Sequence, residues 1–180
     1  RWLGLDRAVD AYVVHASAQQ RALTDTRGID PGKVTLVPYG VDQRFWRPAP
    51  PAAPDGPPLV CSVGLERRDH GTLVRAVDGL DVRLVVAADS PWAAQGWAPD
   101  GRVPPNVEVT SLDFVALRDL YRRSSVVVVP LHPTDFQAGV TTILEAMASA
   151  RPVVYSATVG QTDVVVDGDT GVAVPPGDVA

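Results

Sequence analysis

The sequence predicts an α/β protein built on a doubly wound, Rossmann-like parallel sheet. Short runs rich in β-branched residues alternate with amphipathic segments of helical length, and residues 126–129, four consecutive valines, are the clearest of these runs. Such runs are typical of strands that are covered on both faces. Short connections between strand and helix favour β-α-β units with helices on both sides of the sheet.

Prolines and capping residues set the bounds of the elements. Ser17 is predicted to cap the helix after the first strand. Pro130 ends the strand 126–129, and Pro152 prevents the following helix from continuing. The predicted strands are 11–15, 34–38, 59–63, 82–86, 107–110, 126–129, 153–154 and 172–174. Helices are predicted at 70–79, at 114–123, after residues 137–139 and, as a short one, at 161–166, and residues 1–10 are predicted to be the end of a helix. An irregular segment is predicted at 90–105.

A proline-rich stretch divides the chain. Six prolines lie among alanine, aspartate and glycine at 48–58, a composition that predicts a semi-rigid, extended linker. We therefore assign 1–47 to the last part of one Rossmann-like domain and 59–180 to a second, ligand-binding domain. Because Arg1 begins in mid-pattern and residues 175–180 end where a helix would start, we expect both domains to be truncated.

Composition and charge exclude several function classes. With 46% hydrophobic residues the chain of 180 residues can form a sizeable core, and a net charge of −5 argues against a general nucleic-acid binder. The single cysteine, Cys61, excludes a disulfide framework, and no run reaches transmembrane length. No H-x-x-H or H-E-x-x-H spacing supports a zinc site, and no G-x-S-x-G elbow is present. Packing in a core or an interface is the favoured interpretation of Trp46, Trp92 and Trp97, with contact to a sugar as the alternative.

The helix after residues 137–139 is the first candidate site. It begins at the carboxyl end of a parallel strand, where free N–H groups and the helix dipole favour phosphate. Thr141 and Thr142 lie in its first turn, and Glu145 lies roughly 10–12 Å along the axis from Ala138, at ~1.5 Å per residue. That separation suits a carboxylate bound to ribose hydroxyls. The alternative is an exposed glutamate and two threonines without a function.

The loop at residues 64–71 is the second candidate site, at the same end of the sheet. Arg67 and Arg68 could hold a diphosphate through bidentate hydrogen bonds, and an ion-paired, solvent-exposed loop is the alternative. Only Gly64 precedes the charged residues, so the loop is neither a G-x-G-x-x-G dinucleotide loop nor a P-loop. His132 is either a general base or a polar loop residue.

Four stretches, in the expected order, resemble the C-terminal half of a GT-B-fold glycosyltransferase of the large retaining family 4, the glycogen-synthase-like group. Residues 34–42 resemble the strand ending in N-G-V-D that closes the family's N-terminal domain, and residues 62–73 resemble the opening of its C-terminal domain. Residues 135–153 resemble the signature E-x-F-G-x-x-x-x-E-A-M-A-x-G-x-P-V-V. Residues 163–178 resemble the closing E-x-V-x-D-G-x-T-G-x-x-V-x-P-G-D. The likeness covers nearly the whole chain.

The resemblance implies a nucleotide-sugar donor, a UDP-, GDP- or ADP-sugar, held by the second domain without a metal or other cofactor. Glu145 matches the glutamate that binds the donor ribose. Gln137 falls where the first signature glutamate contacts the transferred sugar, and Leu112 lies in the turn where the family reads the nucleobase. The donor-binding residues expected from the resemblance are Gly64, Leu112, Gln137, Ala138, Gly139, Val140, Thr141 and Glu145.

The sequence departs from the family at several positions. Gln137 cannot carry the negative charge of the first glutamate, and the usual arginine and lysine of the Gly-Arg-Leu…Lys-Gly loop fall at Leu65 and His70. Asp163 replaces a glutamate, which is a milder change. Residues 68–70 resemble instead an Arg-Asp-Tyr-like loop that a subset of the family carries.

The resemblance therefore predicts a retaining glycosyltransferase of the hexosyltransferase type. Arg68, helped by Arg67, is the catalytic candidate that would stabilise charge on the departing diphosphate. Since the acceptor-binding half mostly precedes Arg1, we expect this chain alone to bind donor without turnover. A bacterial, cytoplasmic protein is expected, with the acceptor-side domain as a candidate for peripheral contact with the membrane's inner face.

Two alternatives stay open. A non-catalytic nucleotide-sugar-binding or scaffold module of the same fold would explain the departures at Leu65, His70 and Gln137. An epimerase of the related GT-B type acting on UDP-GlcNAc fits the E-A-M-A-x-x-x-P-V-V pattern less well.

Overall fold

The computed structural model describes residues 5–50, 56–88, 103–161 and 163–179, and these residues form two parallel sheets. The first sheet pairs Tyr12–Val14 (β1) with Val34–Leu36 (β2). The second has six strands, all paired in parallel. They are Leu59–Val63 (β3), Arg83–Ala87 (β4), Val107–Thr110 (β5), Val126–Val129 (β6), Val153–Ser156 (β7) and Val172–Val174 (β8).

The strand order of the larger sheet confirms the predicted doubly wound fold. The order is β5-β4-β3-β6-β7-β8, so the sheet grows outward in both directions from the pair β3 and β6. Ligands of such sheets bind in the crevice between the carboxyl ends of the two central strands, where the winding reverses. Here that crevice lies between the segments that leave β3 and β6.

Four α-helices accompany the strands within the described residues: Ser17–Arg21 (α1), His70–Val77 (α2), Phe114–Arg123 (α3) and Val140–Ala148 (α4). Aspartates cap two of them. Asp69 accepts a hydrogen bond from the backbone N–H of Thr72 in α2, at 3.0 Å, and Asp113 accepts one from Ala116 in α3, at 2.8 Å. No helix in the described part of the chain is long and apolar enough to cross a membrane.

The larger sheet is covered on both faces. Alternate residues of each central strand point to opposite sides, as the period of two requires. Cys61 and Val127 belong to a cluster that includes Leu120 of α3 and Ile143 of α4. Val60, Leu84 and Val86 pack on the other face, against the residues of α2. The prediction that the four-valine strand is covered on both sides is therefore confirmed.

The segment just before the proline-rich stretch packs against α3. Trp46 is only 6% exposed and lies edge-on to the ring of Tyr121, with centroids 5.5 Å apart. The guanidinium of Arg118 lies 5.0 Å from the ring centre of Phe45, a cation–π contact. Trp46 is thus a core residue, as predicted, whereas Trp92 and Trp97 lie outside the described residues. The domain boundary at 48–58 stays a prediction.

One prediction for the N-terminal segment is wrong. Ser17 does not cap α1, because Ala16 occupies the N-cap position. Instead, the backbone N–H and the hydroxyl of Ser17 donate to the carboxylate of Asp163, at 2.6 and 2.7 Å. This long-range contact outcompetes local capping. The helix end predicted at 1–10 stays a prediction: residues 1–4 lie outside the described residues, and residues Leu5–Ala8 form a 3-10 helix, a type that often ends an α-helix.

The predicted short helix at 161–166 is absent from the described residues. Only single-turn bonds form, from the N–H groups of Val164 and Val165 to the carbonyl of Gln161, at 2.9 and 3.1 Å. Three consecutive β-branched valines disfavour a helix at this point. Most of the predicted irregular segment at 90–105 lies outside the described residues.

Gly171 provides a test of the packing beneath β8. A β-carbon at Gly171 would lie 2.6 Å from Cγ2 of Val165 and 3.2 Å from the carbonyl oxygen of Val153, in a filled core. We expect Gly171→Ala to lower the free energy of unfolding by about 1–3 kcal/mol, because the core must shift. Gly40→Ala is the matched control, since a β-carbon there meets nothing within 4 Å. Equal urea midpoints for the two variants would contradict the packing.

Candidate functional site

The segments that leave β3 and β6 are joined backbone to backbone at the crevice. Arg68 and Leu131 form an antiparallel bridge. The N–H of Asp69 donates to the carbonyl of Pro130 at 3.0 Å, and the N–H of His132 donates to the carbonyl of Arg67 at 2.9 Å. The loop with the two predicted arginines is therefore held against the exit of the neighbouring strand.

Arg68 is a partly buried cation whose hydrogen bonds, among the described residues, all go to neutral oxygens. Its Nε donates to the carbonyl of Val63 at 2.9 Å, Nη1 to the carbonyl of Glu66 at 3.0 Å, and Nη2 to the hydroxyl of Thr142 at 3.1 Å. No ion pair involves it within the described ranges, and one hydrogen on each terminal nitrogen has no acceptor there. Burial lowers the pKa of Arg68, but a guanidinium keeps its proton at neutral pH.

Two glycines make the space that Arg68 occupies. Gly64 has a φ of +94°, and a β-carbon there would lie 2.9 Å from Nη2 of Arg68. Gly139 has a φ of +75°, and a β-carbon there would lie 2.7 Å from Val129 and 3.4 Å from Nη1 of Arg68. Both backbones thus adopt the left-handed conformation that glycine tolerates best. The two predicted donor-binding glycines are brought together around one guanidinium.

The N-terminus of α4 opens beside this guanidinium. Gly139 is its N-cap and supplies no side-chain cap. Among the described residues, no backbone carbonyl accepts from the N–H groups of residues 140–142. Ala138 and Val140 are each 4% exposed, whereas Thr141 is exposed. A cation beside the positive end of a helix dipole is unfavourable by itself and becomes favourable when an anion lies between them.

Glu145 lies on α4 and is partly buried. One oxygen, Oε2, accepts a hydrogen bond from the hydroxyl of Tyr121 at 3.0 Å. Burial raises the pKa of Glu145, and the bond from Tyr121 opposes that shift. The other oxygen, Oε1, makes no hydrogen bond within the described residues. It is also not one of the buried side-chain oxygens there that lack a hydrogen-bond partner. Glu145 is therefore not an exposed residue without a partner, and one of its oxygens is open to a ligand.

Gln137 is fixed by the turn that follows β7. Its Nε2 donates to the carbonyl of Gly160 at 2.9 Å, and its Oε1 is buried without a partner in the described structure. Gln161 bonds the carbonyl of Ala138 from the same turn. Sequence reasoning missed Gln161, because a lone glutamine in a turn has no diagnostic spacing. The predicted sugar contact of Gln137 stays a prediction.

Arg67 and His132 lie at the rim of the site. Arg67 is exposed, has a φ of 57°, and places its guanidinium 5.8 Å from the ring centre of Phe136. Nδ1 of His132 lies 3.6 Å from a carboxylate oxygen of Asp69. That carboxylate also accepts from the N–H and hydroxyl of Thr72, at 3.0 and 2.7 Å. His132 thus has the carboxylate neighbour that a general base needs, but the carboxylate also caps α2.

His70 has a structural role beneath the loop. It is 2% exposed, and its Nε2 donates to the carbonyl of Gly64 at 2.9 Å. Burial lowers the pKa of His70 to about 4, so the ring is neutral at neutral pH. The position of the family's lysine therefore carries no charge here, and Leu65 is exposed at the position of its arginine. Arg68 is the cation that this loop places in the crevice.

Leu112 follows the carboxyl end of β5. It lines a cavity of about 600 Å³ that runs between β5 and α3, together with Thr110, Ala116, Leu120 and Arg123. Neither Arg68 nor Glu145 lines this cavity. Within the described ranges, no group of three histidine, cysteine or acidic side chains is placed to hold a metal ion.

The neutral state of His70 gives a pH test. Because its pKa is about 4 in the folded chain against 6.5 when unperturbed, the stability it contributes is fully present above pH 6.5. That contribution is lost as the pH falls towards 4, by roughly 2–4 kcal/mol in the free energy of unfolding. We expect His70→Gln to remove this part of the pH dependence in urea titrations. His15→Gln, at the residue that follows β1, is the control, and equal pH slopes in all three proteins would contradict the assignment.

Comparisons with known proteins show which family this chain resembles. Residues 62–180 match the family model described as glycosyl transferases group 1. The chain is 30% identical to a D-inositol 3-phosphate glycosyltransferase of Kineococcus radiotolerans, covering 91% of this chain and 43% of that protein. It is 27% identical to a glycogen synthase of Mycobacterium tuberculosis, covering 98% of this chain and 44% of that protein. The chain thus spans less than half the length of the curated relatives it matches.

Solved structures share the fold at low identity. A glycosyltransferase from Rickettsia africae superposes with a TM-score of 0.81 at 16% identity, over 98% of this chain and 54% of that one. Anabaena Alr3699/HepE, solved in complex with UDP and glucose, gives a TM-score of 0.76 at 17% identity, over 97% of this chain and 52% of that one. Since the family model covers well over half of the chain, this protein belongs to the glycosyl transferases group 1 family.

Proposed function

We propose that this chain forms the nucleotide-sugar half of a retaining, metal-independent hexosyltransferase of family 4. The observation that carries the proposal is the unpaired guanidinium of Arg68 beside the uncapped N-terminus of α4. Both groups present N–H donors and positive charge to the same crevice, an arrangement that suits the diphosphate of a nucleotide. The known ligands of the Anabaena neighbour, UDP and glucose, support a UDP-sugar as the donor to test first.

The proposed chemistry is electrostatic. When the bond between sugar and phosphate breaks, negative charge grows on the nucleoside diphosphate, and donors that are already in place stabilise it. Arg68 and the first-turn amides of α4 would supply these donors, and the open oxygen of Glu145 would accept from a ribose hydroxyl. Arg67, exposed at the rim, would add positive charge at the mouth. Gln137 would bring no charge to the transferred sugar.

Acceptor recognition is proposed to involve residues outside this chain, because the chain spans only 43% of the inositol phosphate glycosyltransferase relative. The acceptor itself is left open. We also propose a cytoplasmic protein, with membrane contact through the acceptor-side domain as a point to test.

A non-catalytic nucleotide-sugar-binding module is the second candidate. Gln137 favours this candidate, because its neutral amide stands where the family has a charged glutamate. That amide donates to the carbonyl of Gly160. The neutral His70 also favours this candidate. Both candidates bind the nucleotide, so sugar transfer by the full-length protein separates them. Hydrolysis or transfer from a UDP-, GDP- or ADP-sugar favours the enzyme, whereas binding without turnover favours the module.

Replacing Arg68 tests the proposal directly. We expect Arg68→Gln to weaken UDP binding by about ten- to a hundredfold, because a charge-assisted contact to the diphosphate is lost. Titration calorimetry in the full-length protein measures the dissociation constant. Arg27→Gln makes the same change of charge at an exposed side chain that forms no ion pair within the described residues. Equal losses of UDP affinity in the two variants would mean that Arg68 contributes only through net charge. An unchanged dissociation constant in Arg68→Gln would refute the proposed site.

A further inference from the structure

A chain of three side chains connects the segment before the proline-rich stretch to Glu145. Trp46 lies edge-on to Tyr121, with ring centres 5.5 Å apart and planes at 69°. The hydroxyl of Tyr121 then lies 3.0 Å from Oε2 of Glu145. Tyr121 itself is 0% exposed, so its ring has no freedom towards solvent. A residue outside the ligand crevice is thus two contacts away from the carboxylate assigned to the ribose.

The direction of the hydrogen bond is determined by burial. Burial raises the pKa of Tyr121 well above its usual value, so the phenol keeps its proton and must donate. A buried hydroxyl without an acceptor is costly, and the carboxylate oxygen of Glu145, at 3.0 Å, accepts its hydrogen bond. With Oε2 occupied in this way, Oε1 is the oxygen left for a ligand hydroxyl.

The position of Trp46 is itself defined by a tight turn. The N–H of Trp46 donates to the carbonyl of Asp42 at 2.8 Å, and the carboxylate of Asp42 accepts from the N–H of Arg44 at 2.9 Å. Phe45, next in the turn, packs edge-on against Trp46 and beneath the guanidinium of Arg118. The turn therefore docks on α3 through two aromatic rings, and it follows β2 of the first sheet in the chain.

We propose that Tyr121 and Trp46 are positioning residues for Glu145. Tyr121 orients the carboxylate by a hydrogen bond to one oxygen, and Trp46 holds the Tyr121 ring from the turn that leads out of the first sheet. The inference rests on the proposed function, since it assigns the open oxygen of Glu145 to the ribose. Its consequence is that a shift of residues 42–46 alters donor affinity without any contact to the donor.

The hydrogen bond also makes donor affinity depend on pH in a defined direction. Replacing Tyr121 by phenylalanine removes the hydrogen-bond donor that stabilises the charged carboxylate of Glu145, while burial still disfavours that charge. The pKa of Glu145 therefore rises, and affinity that needs the carboxylate is lost at a higher pH than in the wild type. Of the other titratable groups near Tyr121, Arg68 stays protonated, and burial raises the pKa of Cys61 to about 12, so neither changes charge in this range.

The test compares Tyr121→Phe with Tyr155→Phe in the full-length protein. Tyr155 lies in the same buried cluster and makes no hydrogen bond to Glu145. By calorimetry with UDP from pH 4.5 to 8, we expect Tyr121→Phe to weaken binding about three- to tenfold at neutral pH and to shift the acid limb upward. Tyr155→Phe should match the wild type. Identical affinities and pH profiles for the two variants would overturn the proposal.

Two further measurements separate the outcomes. A carbon-13 NMR titration of the Glu145 carboxyl without ligand should show a raised pKa in Tyr121→Phe, and an unchanged pKa would overturn the proposal even if UDP binds. Trp46→Phe should change the pKa of Glu145 in the wild type but not in the Tyr121→Phe background. An equal change in both backgrounds would show that Trp46 does not act on Glu145 through Tyr121. If the wild-type protein binds no nucleotide, the proposed function fails and the ligand role of Glu145 falls with it.

Discussion

The candidate site depends on one unpaired cation. Arg68 lies between two left-handed glycines, Gly64 and Gly139, and next to the positive end of α4. Three neutral oxygens orient its guanidinium without neutralising it. No carboxylate of the described residues forms an ion pair with Arg68, so an anion that enters the crevice can lower its free energy by pairing with this cation. The fold supplies the crevice because β3 and β6 are the central strands of a doubly wound sheet.

The core and the site are linked through the helix on which Glu145 lies. The same helix presents Thr142 to Arg68 and Glu145 to Tyr121, so its placement affects both the phosphate end and the ribose end of a bound nucleotide. Tyr121 is a buried core residue and also the hydrogen-bond donor to that carboxylate. Packing beneath the site and chemistry within it are therefore not independent, which is the physical basis for assigning a role to Trp46.

Most of the fold could be predicted from local patterns, whereas the side-chain contacts that form the site could not. The valine runs and prolines predicted all eight strands that the described residues form, because a covered parallel strand has a local signature. Ser17 was assigned wrongly because its hydroxyl finds Asp163, a partner 146 residues away. The resemblance selected Arg68, Gly64, Gly139 and Glu145, but the bonds of Arg68 to Thr142 and of Tyr121 to Glu145 join residues that are 74 and 24 positions apart. No local spacing encodes such contacts.

The most direct test of the central claim is a crystal structure of the full-length protein with UDP. We expect the diphosphate to accept hydrogen bonds from the terminal nitrogens of Arg68 and from the first-turn amides of α4. The ribose hydroxyls should lie at the open oxygen of Glu145. UDP bound elsewhere in the protein, or an Arg68 that pairs with a carboxylate and does not contact UDP, would contradict this site.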